Sequence, residues 1–112
     1  MFKRTKIRRT TRTCEVVIEL PKIIKVNKEV FIEAHVTQGN EKVEDAKKVE
    51  FEIWKSDEET HEKVLCEHQG NGIYSISKNF SVEGDYFVIA HVTARDMHNM
   101  PKKEFTVTKK AE

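Results

Sequence analysis

Apolar and polar residues alternate along most of this chain, in short runs and not at the three-to-four spacing of an amphipathic helix. The alternation predicts strands at 15–20 (EVVIEL), 29–37 (EVFIEAHVT), 48–54 (KVEFEIW), 62–68 (EKVLCEH), 73–80 (IYSISKNF), 85–93 (DYFVIAHVT) and 103–108 (KEFTVT). Turn-forming residues separate them: Pro21 and Asn27, QGN at 38–40, SDEET at 56–60, QGNG at 69–72, EGD at 83–85 and NMP at 99–101. No long helical pattern competes. Seven short strands punctuated in this way predict an all-β domain over 15–108, a seven-stranded antiparallel immunoglobulin-like β-sandwich.

Successive strand residues face opposite sides of a sheet, so parity assigns the interior. The second strand should bury Val30, Ile32, Ala34 and Val36, the third Val49, Phe51 and Ile53, and the sixth Tyr86, Val88, Ala90 and Val92. Gly84 and Tyr86 stand where a tyrosine corner would open the sixth strand, its hydroxyl bonded to upstream backbone. The same parity turns Trp54, Phe87, Ile89 and His91 outward. Trp54, Phe87 and Ile89 should then form one apolar patch where the end of the third strand lies beside the start of the sixth. Two coverings suit such a patch: the 55–62 loop or the N-terminal arm, or a partner protein or membrane-proximal surface.

Composition changes this picture little. The length suits one small core, and 20 Lys and Arg against 19 Asp and Glu give no global attraction to nucleic acid or anionic lipid, so no nucleic-acid partner is expected. Residues 1–14 are the exception, a basic stretch without an acid, expected to be a disordered arm or a weak contact for phosphate groups. Residues 109–112 form a C-terminal tail. No apolar run follows the basic start, so neither an export signal nor a transmembrane span is expected in this sequence. Cys14 and Cys66 lack metal-ligand spacing and allow a single bridge. No nucleophile, base and acid fall on facing loops and no glycine-rich phosphate cradle is present, so the chain is not expected to be an enzyme.

The chemistry that remains gathers in ARDMHNMPKKEF, residues 94–105, expected to be an inter-strand loop. Met97, His98 and Met100, with His91 at the end of the preceding strand, offer thioether and imidazole donors, the set that suits Cu(I). Arg95, Lys102 and Lys103 place positive charge around any such site, and methionine also fills gaps beneath loops. The segment therefore reads either as a soft-metal site or as a turn. His35 and His91 share the tetrapeptide AHVT but belong to opposite sheets and should not share a metal, while His61 and His68 fall in charged surface stretches.

EVVIELPKIIKVNKEVFIEAHVTQGNEKVEDAKKVEFEIW, followed by GNGIYSISKNFSVEGDYFVIAHVTARDMHNMPKKEFTV, resembles the YtkA-like domain, a small FixH-related family of Gram-positive bacteria, over residues 15–108. The HVTARDMHNMP segment carries the family's His, Met-His and Met-Pro positions as His91, Met97, His98, Met100 and Pro101. The resemblance implies an extracytoplasmic immunoglobulin-like module, often lipid-anchored through a cysteine. It also implies copper handling or respiratory oxidase maturation, with a membrane-bound copper acceptor as partner. RTTRT ahead of Cys14 departs from the apolar stretch that a lipoprotein signal needs. The competing reading is a non-catalytic structural or protein-interaction domain without metal, docking through Trp54, Phe87 and Ile89.

Overall fold

A computed structural model describes residues 14–95 and 97–109. Among them no helix occurs, and eleven strands form two sheets. In chain order these are β1 (Cys14–Glu19), β2 (Ile23–Lys25), β3 (Val30–Gln38), β4 (Glu41–Lys42), β5 (Lys48–Lys55), β6 (Glu62–Leu65), β7 (Glu67–Gly70), β8 (Ile73–Lys78), β9 (Gly84–Ala94), β10 (Met97–Asn99) and β11 (Lys102–Thr108). The first sheet runs β1-β3-β8-β7 with β4 beside β3, and the second runs β2-β11-β9-β5-β6 with β10 beside β9.

Six of the seven sequence-predicted strands are present as single strands and the one at 62–68 is divided; among the described residues the count is eleven, not seven, for three physical reasons. Pro21 has no N–H for a ladder, so β1 stops before it and the chain re-enters the other sheet as β2. There β2 lies parallel to β11, against the all-antiparallel expectation. The run at 62–68 divides at Cys66: β6 pairs with β5 in the second sheet, β7 with β8 in the first. The Cys66 amide bonds the Val49 carbonyl at 2.9 Å during the crossing. Two short pairings, β4 on β3 and β10 on β9, supply the remainder. The 94–105 segment is accordingly not an open loop, because Arg95, at φ 50, turns the chain back onto β9 as β10.

Every residue assigned to the interior of β3, β5 and β9 by parity is buried, with Phe51, Ile32, Val36 and Val88 at 0 % exposure. Burial of each large side chain stabilises the fold by roughly 1.5–3 kcal/mol. The Tyr86 hydroxyl donates to the Val82 carbonyl at 2.7 Å, giving the expected corner at the start of β9. Between β7 and β8 the chain turns through Asn71 (φ 55) and Gly72 (φ 74), the left-handed pair that matches a tight hairpin to strand twist.

The ends of the fold are tied by side chains. Tyr74 donates to the Val43 carbonyl (2.9 Å) and accepts from the Ala46 amide (3.3 Å), holding the β4–β5 connection. Arg95 reaches the same connection through Asp45 (3.2 Å) and also bonds Glu41 of β4 (3.0 Å) and Gln38 of β3 (2.8 Å). Along the outer border of β1, the Cys14 amide donates to Met97 Sδ (3.4 Å) and the Cys14 carbonyl accepts from Asn99 (2.6 Å). The Ile18 carbonyl accepts from Lys103 Nζ (3.0 Å).

Candidate functional site

Pairing of β10 with β9 decides which donors meet. Met97 lies opposite Ala94, a buried position, and His98 opposite Thr93, an outward one. Alternation therefore sends Met97 inward, where it packs against the core, and His98 outward. The predicted grouping of Met97 with His98 and Met100 is thus divided, since the Met97 sulfur is engaged by the Cys14 amide. Met100 follows β10 and is 53 % exposed.

The outward face of the second sheet gathers a different set. The His91 and His98 rings lie 6.2 Å apart, centroid to centroid, at an interplanar angle of 63°. His91 Nε2 donates to Glu52 Oε1 at 2.7 Å, and His98 Nδ1 shares a hydrogen bond with Thr93 Oγ1 at 3.2 Å. The second Glu52 oxygen accepts from His61 Nδ1. Hydrogen bonds from His61 first and His91 second hold the Glu52 carboxyl below the usual carboxylate range, so it is an ionised acceptor at neutral pH.

The aromatic patch is present on this face and is roofed. Trp54 pairs directly with Phe87 across β5 and β9, their rings 5.5 Å apart. His61 stacks on Trp54 at 4.1 Å and 8°, and Lys102 Nζ sits 4.4 Å from the Phe87 centroid and 5.6 Å from that of Trp54. Trp54, Phe87 and Ile89 are consequently half-buried, and of the two expected coverings it is the end of the 55–62 loop that provides one. His61 is not the plain surface histidine expected. The signal for it was the β5–β6 register, Ile53 opposite Glu62, which places His61 across from Trp54.

The cations that counted against a metal are each held elsewhere: Lys102 over the rings, Lys103 on the Ile18 carbonyl, Arg95 on Glu41 and Asp45. Among the described residues no three His, Cys, Asp or Glu side chains form a group able to hold a metal ion. What the face offers is two neighbouring imidazoles, with an exposed thioether two residues beyond His98. That donor chemistry fits a soft, low-coordinate ion and lacks the oxygen cage of a hard one. His35, paired with Glu33 at 2.8 Å on β3, belongs to the other sheet, as expected.

Both cysteines are free. Burial pushes the Cys66 thiol up to about 12 and raises that of Cys14 as well. Cys14 is 5 % exposed, begins β1 and packs in the core. No described helix is long and apolar enough to cross a membrane.

A family model described as YtkA-like matches residues 8–91. That match begins within the basic segment and ends at His91, so Met97, His98 and Met100 lie beyond it. No curated protein sequence matches the chain. Among solved structures, the CARDB domain of a Pyrococcus furiosus protein in complex with di-metal ions is similar, with 16% identity and a TM-score of 0.56, covering 88% of this chain and 96% of that one. The PmoD soluble domain from Methylocystis sp. shows 13% identity and a TM-score of 0.55 over 96% of this chain and 95% of that one. The endo-β-1,4-mannanase from Thermotoga petrophila shows 17% identity and a TM-score of 0.59 over 88% of this chain, which spans only 20% of the mannanase. Identities this low speak for the fold alone.

Proposed function

The chain belongs to the YtkA-like family, and from that premise we propose that it is a non-enzymatic, extracytoplasmic module that carries Cu(I) as cargo on the outer face of its second sheet. His91 and His98 are the principal donors, Met100 is an accessory one, and a membrane-bound acceptor takes the ion by ligand exchange. The adjacent His91 and His98 rings are the observation that carries this reading. Imidazole and thioether hold a soft ion without the charge of a thiolate, which leaves it exchangeable. Copper handling enters from the family resemblance, and Met97 leaves the ligand set because its sulfur is turned to the core.

We read the two sheets as immunoglobulin-like. β1, β3, β8 and β7 take the places of strands A, B, E and D, and β11, β9 and β5 those of G, F and C. In that arrangement the G–F–C face carries both the histidine pair and the aromatic strip.

The test is anaerobic titration with a chromogenic Cu(I) chelator as competitor. The wild type should withdraw Cu(I) from the chelator, Met97→Leu should do so equally well, and His98→Ala with Met100→Leu should not. Equal competition by wild type and the His98/Met100 variant, or none by the wild type, would reject the ligand set. The second reading, docking without metal, draws on the half-buried Trp54–Phe87 pair. It expects a Trp54→Ala variant to lose association with a membrane partner while Cu(I) has no effect on either protein.

A further inference from the structure

Glu52 stands between two features of the same face. One of its oxygens accepts from His91 Nε2 and the other from His61 Nδ1, and its side chain is only 16 % exposed. His61 in turn lies flat on Trp54, 4.1 Å from its ring. Building on the cargo reading above, we propose that Glu52 is a positioning residue that links occupancy of His91 to the His61 roof over Trp54, so that loaded and empty protein present different aromatic faces.

The physical route is short. An ionised carboxylate can only accept, so Glu52 fixes the proton of His91 on Nε2 and leaves Nδ1 as the nitrogen with a free lone pair. A cation on that lone pair draws density from the ring and makes Nε2–H a stronger donor to Glu52, as in carboxylate–histidine–metal arrangements. Negative charge on the carboxylate then shifts toward Oε1. The bond from His61 to Oε2 weakens, and with it the hold on the stack over Trp54. His61 sits at the end of the 56–61 connection, so its departure from the ring needs no change in the strands. Coupling of this kind is reciprocal, and removing His61 should also favour the loaded state.

The chain's single tryptophan makes the roof directly observable. Silver(I), a redox-inert soft cation, is titrated into the whole protein while heat of binding and acrylamide quenching of Trp54 are followed in parallel. In the wild type the quenching constant should rise on the order of twofold at saturation, as one of two ring faces is uncovered. Glu52→Gln, of the same shape without the charge, should bind Ag(I) about 10–100-fold more weakly and, once saturated, show no change in quenching. His61→Ala should be quenched strongly with or without Ag(I). Thermal melts confirm that each variant is folded. Binding by the wild type with unchanged quenching, or a Glu52→Gln response equal to that of the wild type, overturns the coupling while leaving the cargo reading intact. Absence of any Ag(I) heat overturns both.

Discussion

Substitution of Gly72 by Ala tests the packing of the β7–β8 turn against β3. Gly72 has φ +74, and a Cβ there would lie 2.6 Å from the Val36 carbonyl oxygen and 3.2 Å from the Val43 amide nitrogen. Both are backbone atoms and cannot rotate away as a side chain would. Both are also engaged: the Val36 amide donates to the Gly72 carbonyl at 2.8 Å, and the Val43 amide to the Val36 carbonyl at 3.0 Å. The left-handed conformation alone costs a residue with a Cβ about 1–3 kcal/mol. Displacing the turn sacrifices one or both hydrogen bonds, each worth roughly 0.5–1.5 kcal/mol net. Gly72→Ala should therefore lose about 2–5 kcal/mol, a large share of the roughly 5–15 kcal/mol that holds a small domain folded. Gly70→Ala is the control, since Gly70 also has positive φ (+98) but nothing lies within 4 Å of its Cβ position. Its loss should be the conformational part only, about 1–3 kcal/mol. Urea unfolding followed by circular dichroism measures both, with the midpoint shifting at constant slope. Equal losses in the two variants would refute the claim that close backbone contact fixes this turn.

Three further outcomes follow from the same geometry. Phe51→Ala, at a fully buried position, should lose about 3–5 kcal/mol in the same urea assay. Tyr74→Phe removes a donor to Val43 and an acceptor for Ala46 and should lose about 1–2 kcal/mol; hydrogen exchange should accelerate at Ala46 ahead of the strands. Cys66, its thiol raised to about 12 by burial, should react with iodoacetamide far more slowly in native than in urea-unfolded protein. An unfolded thiol ionises near its ordinary value of about 8.5, so this contribution is complete below that pH and declines as pH climbs toward the folded value. Urea midpoints measured through that alkaline window, compared with those of Cys66→Ala, check the sign.

The interior of the fold was legible because one rule, alternation, governs both the chain and the sheets: Ile32, Phe51 and Val88 are where parity put them. Alternation does not say which sheet a run belongs to. The chain changes sheet at Pro21 and at Cys66 while the apolar pattern continues, which is why β2 and β7 were not foreseen. β10 is too short for periodicity to register, yet its pairing with β9 separates Met97 from His98. His91, Trp54 and Phe87 were readable as outward residues of long strands. Glu52 and His61 required cross-strand register, because a carboxylate on a wet face looks like any other until its two neighbours are known.

The side chains laid along β1 bear on how the molecule behaves in company. Strand borders offer rows of open peptide groups to which another polypeptide can add itself. Here Met97, Asn99 and Lys103 occupy such groups at Cys14 and Ile18. With those groups occupied, growth of the first sheet into a neighbouring molecule is obstructed where β1 would otherwise invite it, which favours discrete particles over fibrils at high local concentration.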